Sequence, residues 1–283
     1  MLRRRCLSRL ALPTDQTKPV GEKETDEESA MATAIKSAAE ISPAEREARQ
    51  QLAACYRVFD LLGWTELIYN HITLKVPGEE GAFLINPFGL HFSEVTASNL
   101  VKIDLDGNKL ADSPHGVNLA GYVQHSLFHR ALPDAHCIMH THTTAGAAVA
   151  SLEDGLCISN FYAGQFAGQI AYHDFEGITV RGEEGERLIA NLGDKRLMIL
   201  RNHGLLAMGS TLPEAFLRLW GLQRACEIQV AAAPMGPIRR IPAEVLAVHQ
   251  RDTAKMIPPG GFGAMDFAAM VRLVDRTDRS WRD

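Results

Sequence analysis

The stretch Ile138-Met139-His140-Thr141-His142-Thr143-Thr144 sets two histidines one residue apart after a short apolar run. On a strand, residues i and i+2 point to the same face. His140 and His142 can therefore offer two imidazoles to one cation while Thr141 points away. His203 stands where a second apolar run, "KRLMIL", ends and the chain turns through Gly204, a position from which a side chain emerges at the end of a sheet. Three neutral imidazoles with an open coordination position suit a catalytic zinc or a related divalent ion such as Fe2+ or Mn2+. The competing reading is that the imidazoles bond to one another or to water, with Asn202 and Gly204 kept for the turn.

These histidines need a sheet behind them, and the pattern around them supplies one. Ser42-Pro43-Ala44-Glu45 reads as a capping box with Pro at the first helical position. It opens a helix that spaces Leu52, Cys55, Val58, Phe59 and Leu62 along one face and ends at Gly63. Short β-type runs follow at Glu66–Val76, Phe83–Ile85 and Leu100–Leu105, the last leading into an Asp106-Gly107 hairpin turn. A second helix is predicted over Val117–Ala131, a buried strand over Ala135–His140 and a small-residue helix over Ala145–Ser151. Residues 153–180, rich in Gly and aromatics, give no clear element. A helix over Glu183–Leu192 leads to the two apolar strands that flank His203. Thr211-Leu212-Pro213-Glu214 then caps a long helix with Leu212, Phe216, Leu219, Leu222, Cys226 and Val230 on one face. Pro234–Pro237 breaks the chain before two shorter helices. Strands and helices interleave with no linker after residue 42, so residues 42–283 are expected to form a single α/β domain.

Residues 1–41 differ in kind. "MLRRRCLSRLAL" is Arg-rich and acid-free, the way a mitochondrial presequence begins, and "KPVGEKETDEES" cannot bury enough apolar surface to fold alone. A disordered or over-extended start, with Met31 as initiator, is the expectation, and mitochondrial targeting the alternative. The whole chain has 283 residues, 46% apolar and 22% charged, with a net charge of −5. That charge leaves no basic footprint for nucleic acid, and no apolar run reaches the ~18 residues of a membrane span. The five cysteines are scattered and odd in number, without a CxxC pair, which fits a reducing, cytoplasmic compartment better than a disulfide framework.

Taken together, "INPFGLHFSEVTASNLVKID", "DAHCIMHTH", "IMHTHTT" and "LRNHGLLAMG" resemble the class II aldolase/adducin family over roughly Glu45 to Ala233. The resemblance implies a three-layer α/β/α sandwich with a mixed central sheet. It also implies a divalent ion, usually zinc, on His140, His142 and His203, and a homo-oligomer, commonly a tetramer with the site near a subunit boundary. Aldolases of the family carry a metal-binding, proton-transferring glutamate one helical turn ahead of a histidine. With His125 as that histidine, Gly121 stands at the glutamate's place, and no carboxylate occurs from Val117 to Arg130. Phosphate-holding positions correspond to Asn70-His71-Ile72-Thr73, Phe88-Gly89 and Leu119-Ala120, and two of the three have lost their hydroxyls.

A standard phosphosugar aldolase is therefore not expected, and the wording is that of the adducin-like branch. Adducins bind spectrin and actin through a long basic tail; the sequence ends at Asp283 without one, so cytoskeletal binding is not expected. Three functions follow. One is a metal-dependent lyase-type enzyme (aldol cleavage or decarboxylation) on a small oxygenated substrate. In it His125, Tyr162 or His173 serves as acid or base, and Asn70, His71, Phe88, Gly89 and Gly121 line the substrate site. The second is a mononuclear non-heme iron oxygenase, and the third a non-catalytic adducin-head-like scaffold.

Overall fold

The computed structural model of the chain describes residues 41–178 and 182–283; the N-terminal segment, apart from Ile41, lies outside them. Helix α1 spans Pro43–Leu62. The Ser42 hydroxyl accepts from the Glu45 N–H, and Gly63 closes the helix in the left-handed conformation. The reciprocal half of the expected capping box is missing because the Glu45 carboxylate is used elsewhere. It takes the Arg49 Nε–H at 2.8 Å and the Lys102 ammonium at 2.9 Å. Arg49 also donates to the Leu100 carbonyl at 2.9 Å. This buried cluster fastens α1 to the strand Val101–Ile103 (β3).

Seven strands form one sheet: β1 His71–Lys75, β2 Phe83–Ile85, β3, β4 Cys137–Thr141, β5 Ile170–His173, β6 Leu197–Leu200 and β7 Gly204–Gly209. They lie in the order β3-β2-β1-β4-β7-β6-β5. All neighbours are antiparallel except β5 and β6. The sheet is therefore mixed, as expected. The predicted run Glu66–Val76 yields only His71–Lys75 as strand, because Glu66 and Leu67 adopt positive φ values of 44° and 60° and turn the chain. Asp104–Asn108 makes the predicted turn, with Gly107 N–H donating to the Asp104 carbonyl.

Helices cover both faces. On one lie α1, α3 (Thr144–Ala150), α4 (Phe161–Gln165), α6 (Leu212–Ala232) and α8 (Ala264–Val274). They bury Leu52, Tyr56, Phe59, Val149, Phe216 and Leu219 against Ile72, Leu84, Met139, Ile199 and Leu205 of the sheet. On the other lie α2 (Leu119–Ala131) and α5 (Gly182–Leu192), where Phe128, Leu188 and Leu192 pack on Ile138, Met198, Leu206 and Met208. Each such side chain contributes about 1.5–3 kcal/mol when fully buried. The result is a three-layer α/β/α sandwich.

Two further differences from the sequence reading have local causes. Glu214 reaches back to Ser210 rather than Thr211, bonding its N–H and hydroxyl at 2.7 Å each. Val230 is 41% exposed, because Gln229 takes the inward place at that turn and accepts from Cys157 N–H. Residues 153–180 hold α4 and β5. Helix α7 (Ala243–Ala254) precedes α8. Among the described residues no helix is long and apolar enough to cross a membrane.

Candidate metal centre

Strand β4 ends at Thr141, so His140 lies on the ladder and His142 just beyond it. His203 sits in the tight turn between β6 and β7, after Asn202 at φ 55°, a left-handed conformation that Asn tolerates. Gly204 is required here, since a Cβ would collide with the Thr141 carbonyl. This close approach of β7 to the end of β4 brings His203 to His140 and His142. The Nε2 atoms of His140 and His142 are 2.7 Å apart, those of His142 and His203 2.9 Å, and those of His140 and His203 3.3 Å.

Backbone and side-chain partners fix these rings. His140 Nδ1–H donates to the Leu205 carbonyl at 2.9 Å, which leaves its Nε2 bare. Asn70 accepts from the His142 N–H at 2.9 Å through Oδ1 and donates to the Trp64 carbonyl at 2.8 Å. Burial holds His140 well below its ordinary imidazole value and pushes His142 down to about 4; His203 is lowered by burial too. Neutral imidazoles whose nitrogens converge on one point repel through their lone pairs unless a proton or cation lies between them. Nitrogens about 2.0–2.1 Å from one divalent ion stand about 2.8–3.4 Å apart for angles from about 90° to tetrahedral. The His142–His203 and His140–His203 separations fall in that range, with His140–His142 slightly shorter. The donor set fits a divalent metal, and a carbonyl behind a ligand histidine is the usual outer support of such a site.

The three histidines border a cleft of about 740 Å³. Leu119, Phe175 and Ile178 form its exposed apolar rim, while His71, Gln124 and Asn202 add polar groups. Its described lining contains no lysine or arginine. A depression of similar size, about 770 Å³, lies around Lys75, Glu79, Arg130 and His136. Convergent nitrogen donors, rather than volume, distinguish the first.

The space beside Gly121 is filled by His71. A Cβ on Gly121 would lie 2.8 Å from His71 Cδ2 and 2.9 Å from Cγ. His71 pairs with His140 across β1 and β4, and their ring centroids are 5.1 Å apart. His71 Nδ1 is 3.0 Å from His125 Nε2. His125 Nδ1 is 2.8 Å from the Thr73 hydroxyl, which is 2.8 Å from His129 Nε2; His129 Nδ1 reaches the Ala135 carbonyl at 3.0 Å. The sequence reading named Thr73 only as part of the Asn70–Thr73 stretch, and His129 not at all. Their signal was present in two spacings, His71-x-Thr73 on one strand face and His125-x-x-x-His129 on one helix face.

The remaining candidates are dispersed. His173 is buried beside a small recess shared with His203. Its Nδ1 bonds Asn191 at 2.8 Å and its Nε2 lies 3.6 Å from Glu184. Tyr162 packs edge-on against Trp220 and Phe161, apart from the cleft lining. Phe88 bridges to Gly116, with Gly89 following at φ 101°; neither lines the cleft.

Residues 50–230 match the family model "Class II Aldolase and Adducin N-terminal domain". The chain belongs to this family. Within it, the chain is 43% identical over 247 residues to a class 2 aldolase-like protein of Pseudomonas aeruginosa, covering 86% of this chain and 95% of that one. It is 42% identical to alpha-adducin of Rattus norvegicus over 82% of its own length but only 33% of the adducin. A crystal structure of an aldolase II superfamily protein from Pseudomonas syringae superposes with a TM-score of 0.82 at 45% identity, over 86% of this chain and 98% of that one. L-fuculose 1-phosphate aldolase from Glaciozyma antarctica superposes with a TM-score of 0.73 at 26% identity, over 82% and 90%.

Proposed function

We propose that this member of the class II aldolase and adducin family is a divalent-metal-dependent lyase-type enzyme, performing aldol cleavage or decarboxylation on a small oxygenated substrate. The observation that carries the reading is the convergence of His140, His142 and His203 Nε2 at the edge of a 740 Å³ cleft. His140, His142 and His203 hold the ion, with zinc the first choice. The chemistry supplied by a bound divalent ion is Lewis-acid polarisation of a carbonyl or hydroxyl oxygen. Asn70 aims His142 and the Leu205 carbonyl aims His140, while Leu119, Phe175 and Ile178 form the exposed apolar rim of the cleft. Leu119 and Ala120 line the cleft with apolar side chains where the resemblance places phosphate-holding hydroxyls, which supports a substrate without a phosphate. The apolar rim of Leu119, Phe175 and Ile178, with Tyr69 beside it, supports a homo-oligomer.

The similarity to alpha-adducin favours a second reading, a non-catalytic scaffold that keeps the metal site. The test is to reconstitute the purified chain with Zn2+, Mn2+ or Fe2+. Small hydroxy-keto acids and 2-oxo acids are then screened for released aldehyde, ketone or carbon dioxide. Turnover with metal and none after chelation supports the lyase. Metal binding without turnover on any of them supports the scaffold, and oxygen consumption confined to Fe2+ supports an oxygenase.

A further inference from the structure

The buried chain from His71 to Ala135 has one consistent placement of its protons. The Ala135 carbonyl can only accept, so His129 Nδ1 carries a hydrogen. Burial, with Lys75 nearby, pushes His129 down to about 3, so its ring is neutral and its Nε2 is bare. The Thr73 hydroxyl has one hydrogen and spends it on His129 Nε2. It must then accept from His125, which places the His125 hydrogen on Nδ1. His125 is neutral as well, held low by burial, so its Nε2 accepts from His71 Nδ1–H. The last ring in the series, His71, borders the cleft beside His140; with its Nδ1 hydrogen committed to His125, the neutral ring has an unprotonated Nε2.

We propose that Thr73, His125 and His129 are positioning residues that lock His71 in the Nδ1–H tautomer and present its Nε2 lone pair to the cleft as acceptor for a ligand's donor group. The inference rests on the reading of the cleft as a substrate site. Gly121 is the local condition for it, because any side chain there would meet the His71 ring. His71 then occupies the place beside the three histidines where a carboxylate acceptor is missing from α2. It fits a substrate that brings a hydroxyl proton to the ion's side of the cleft. A carbonyl-only ligand would leave that lone pair unmatched.

The experiment is long-range 1H–15N correlation spectroscopy on the full chain labelled at histidine nitrogens, chelator-treated and near pH 7.5. His71, His125 and His129 are each expected as neutral Nδ1–H tautomers. His71 found as the Nε2–H tautomer, or charged, overturns the proposal. Thr73→Val keeps the branched shape and removes the hydroxyl; the His125 and His71 signals should shift toward a mixture of tautomers, and Thr73→Ser should restore them. A Thr73→Val spectrum unchanged at His71 also overturns it, and if that variant does not fold, the wild-type spectrum decides alone. Titration with Zn2+ separates the two readings. Shifts at His140, His142 and His203 with His71 still in its locked tautomer support both. No Zn2+ response at all sinks the metal reading while the lock stands. A metal-ligand shift at His71 Nε2 overturns the acceptor role.

Discussion

Replacing Gly121 by alanine tests whether the His71 imidazole fills the space that any side chain there would need. The added methyl would sit 2.8 Å from Cδ2 and 2.9 Å from Cγ of the ring, against a normal carbon separation of about 3.5–4.0 Å. The ring cannot swing aside cheaply, because its Nδ1 is bonded to buried His125 at 3.0 Å and its face rests near His140. Forcing it away combines overpacking of about 1–3 kcal/mol with an unpaired buried imidazole nitrogen, about 1–3 kcal/mol more. Alanine returns at most about 1 kcal/mol of helix propensity, since position 121 lies in the first turn of α2. The expected net loss is about 1–5 kcal/mol. It is measured by urea denaturation of chelator-treated protein, compared at constant m. The same substitution in a His71→Ala background should be neutral or stabilising, because the obstacle is gone. Equal losses in both backgrounds, or none in the wild type, would show that His71 is not the obstacle.

Acid should destabilise the metal-free domain. His125 and His129 are buried and neutral, with folded values far below the ordinary 6.5, about 3 for His129. In that window the unfolded chain binds more protons than the folded one. Stability is therefore complete above about pH 6.5 and falls by about 1.4 kcal/mol per histidine for each unit below it; a flat urea midpoint from pH 7.5 to 5 would contradict this. His142→Ala should lower Zn2+ affinity more than about 100-fold. Asn70→Ala, which only supports His142, should lower it about 10–100-fold, both read by competition with a chromophoric chelator. Glu45→Ala should cost about 3 kcal/mol in thermal or urea unfolding, because Arg49 and Lys102 lose their shared buried carboxylate.

The three converging histidines were legible because a strand's period of two and a Gly-containing turn after an apolar strand are local signals. His140, His142 and His203 accordingly meet within 3.3 Å. Most strands and helices were legible for the same reason. What failed was whatever depended on a distant partner. Glu45 left its capping role for Lys102, 57 residues away. The segment 153–180 formed β5 only by pairing parallel with β6. The His71–His125–Thr73–His129 series joins a strand to a helix about fifty residues on, and neither half alone announces a network. The question raised by Gly121, what stands where a carboxylate is lacking, was posed by the sequence. Its answer, His71, depends on the packing of α2 over β1.

His140 and the turn bearing His203 are tied to one another by the β4–β7 ladder, Cys137 through Thr141 against Leu205 through Gly209. The conformational entropy of gathering ligands sixty residues apart is thus met by main-chain hydrogen bonds, before any ion arrives. Ion uptake should accordingly be rapid, release little heat capacity, and raise the unfolding midpoint only by mass action. A domain built this way would keep its shape with or without an ion, which is the opposite of a zinc finger.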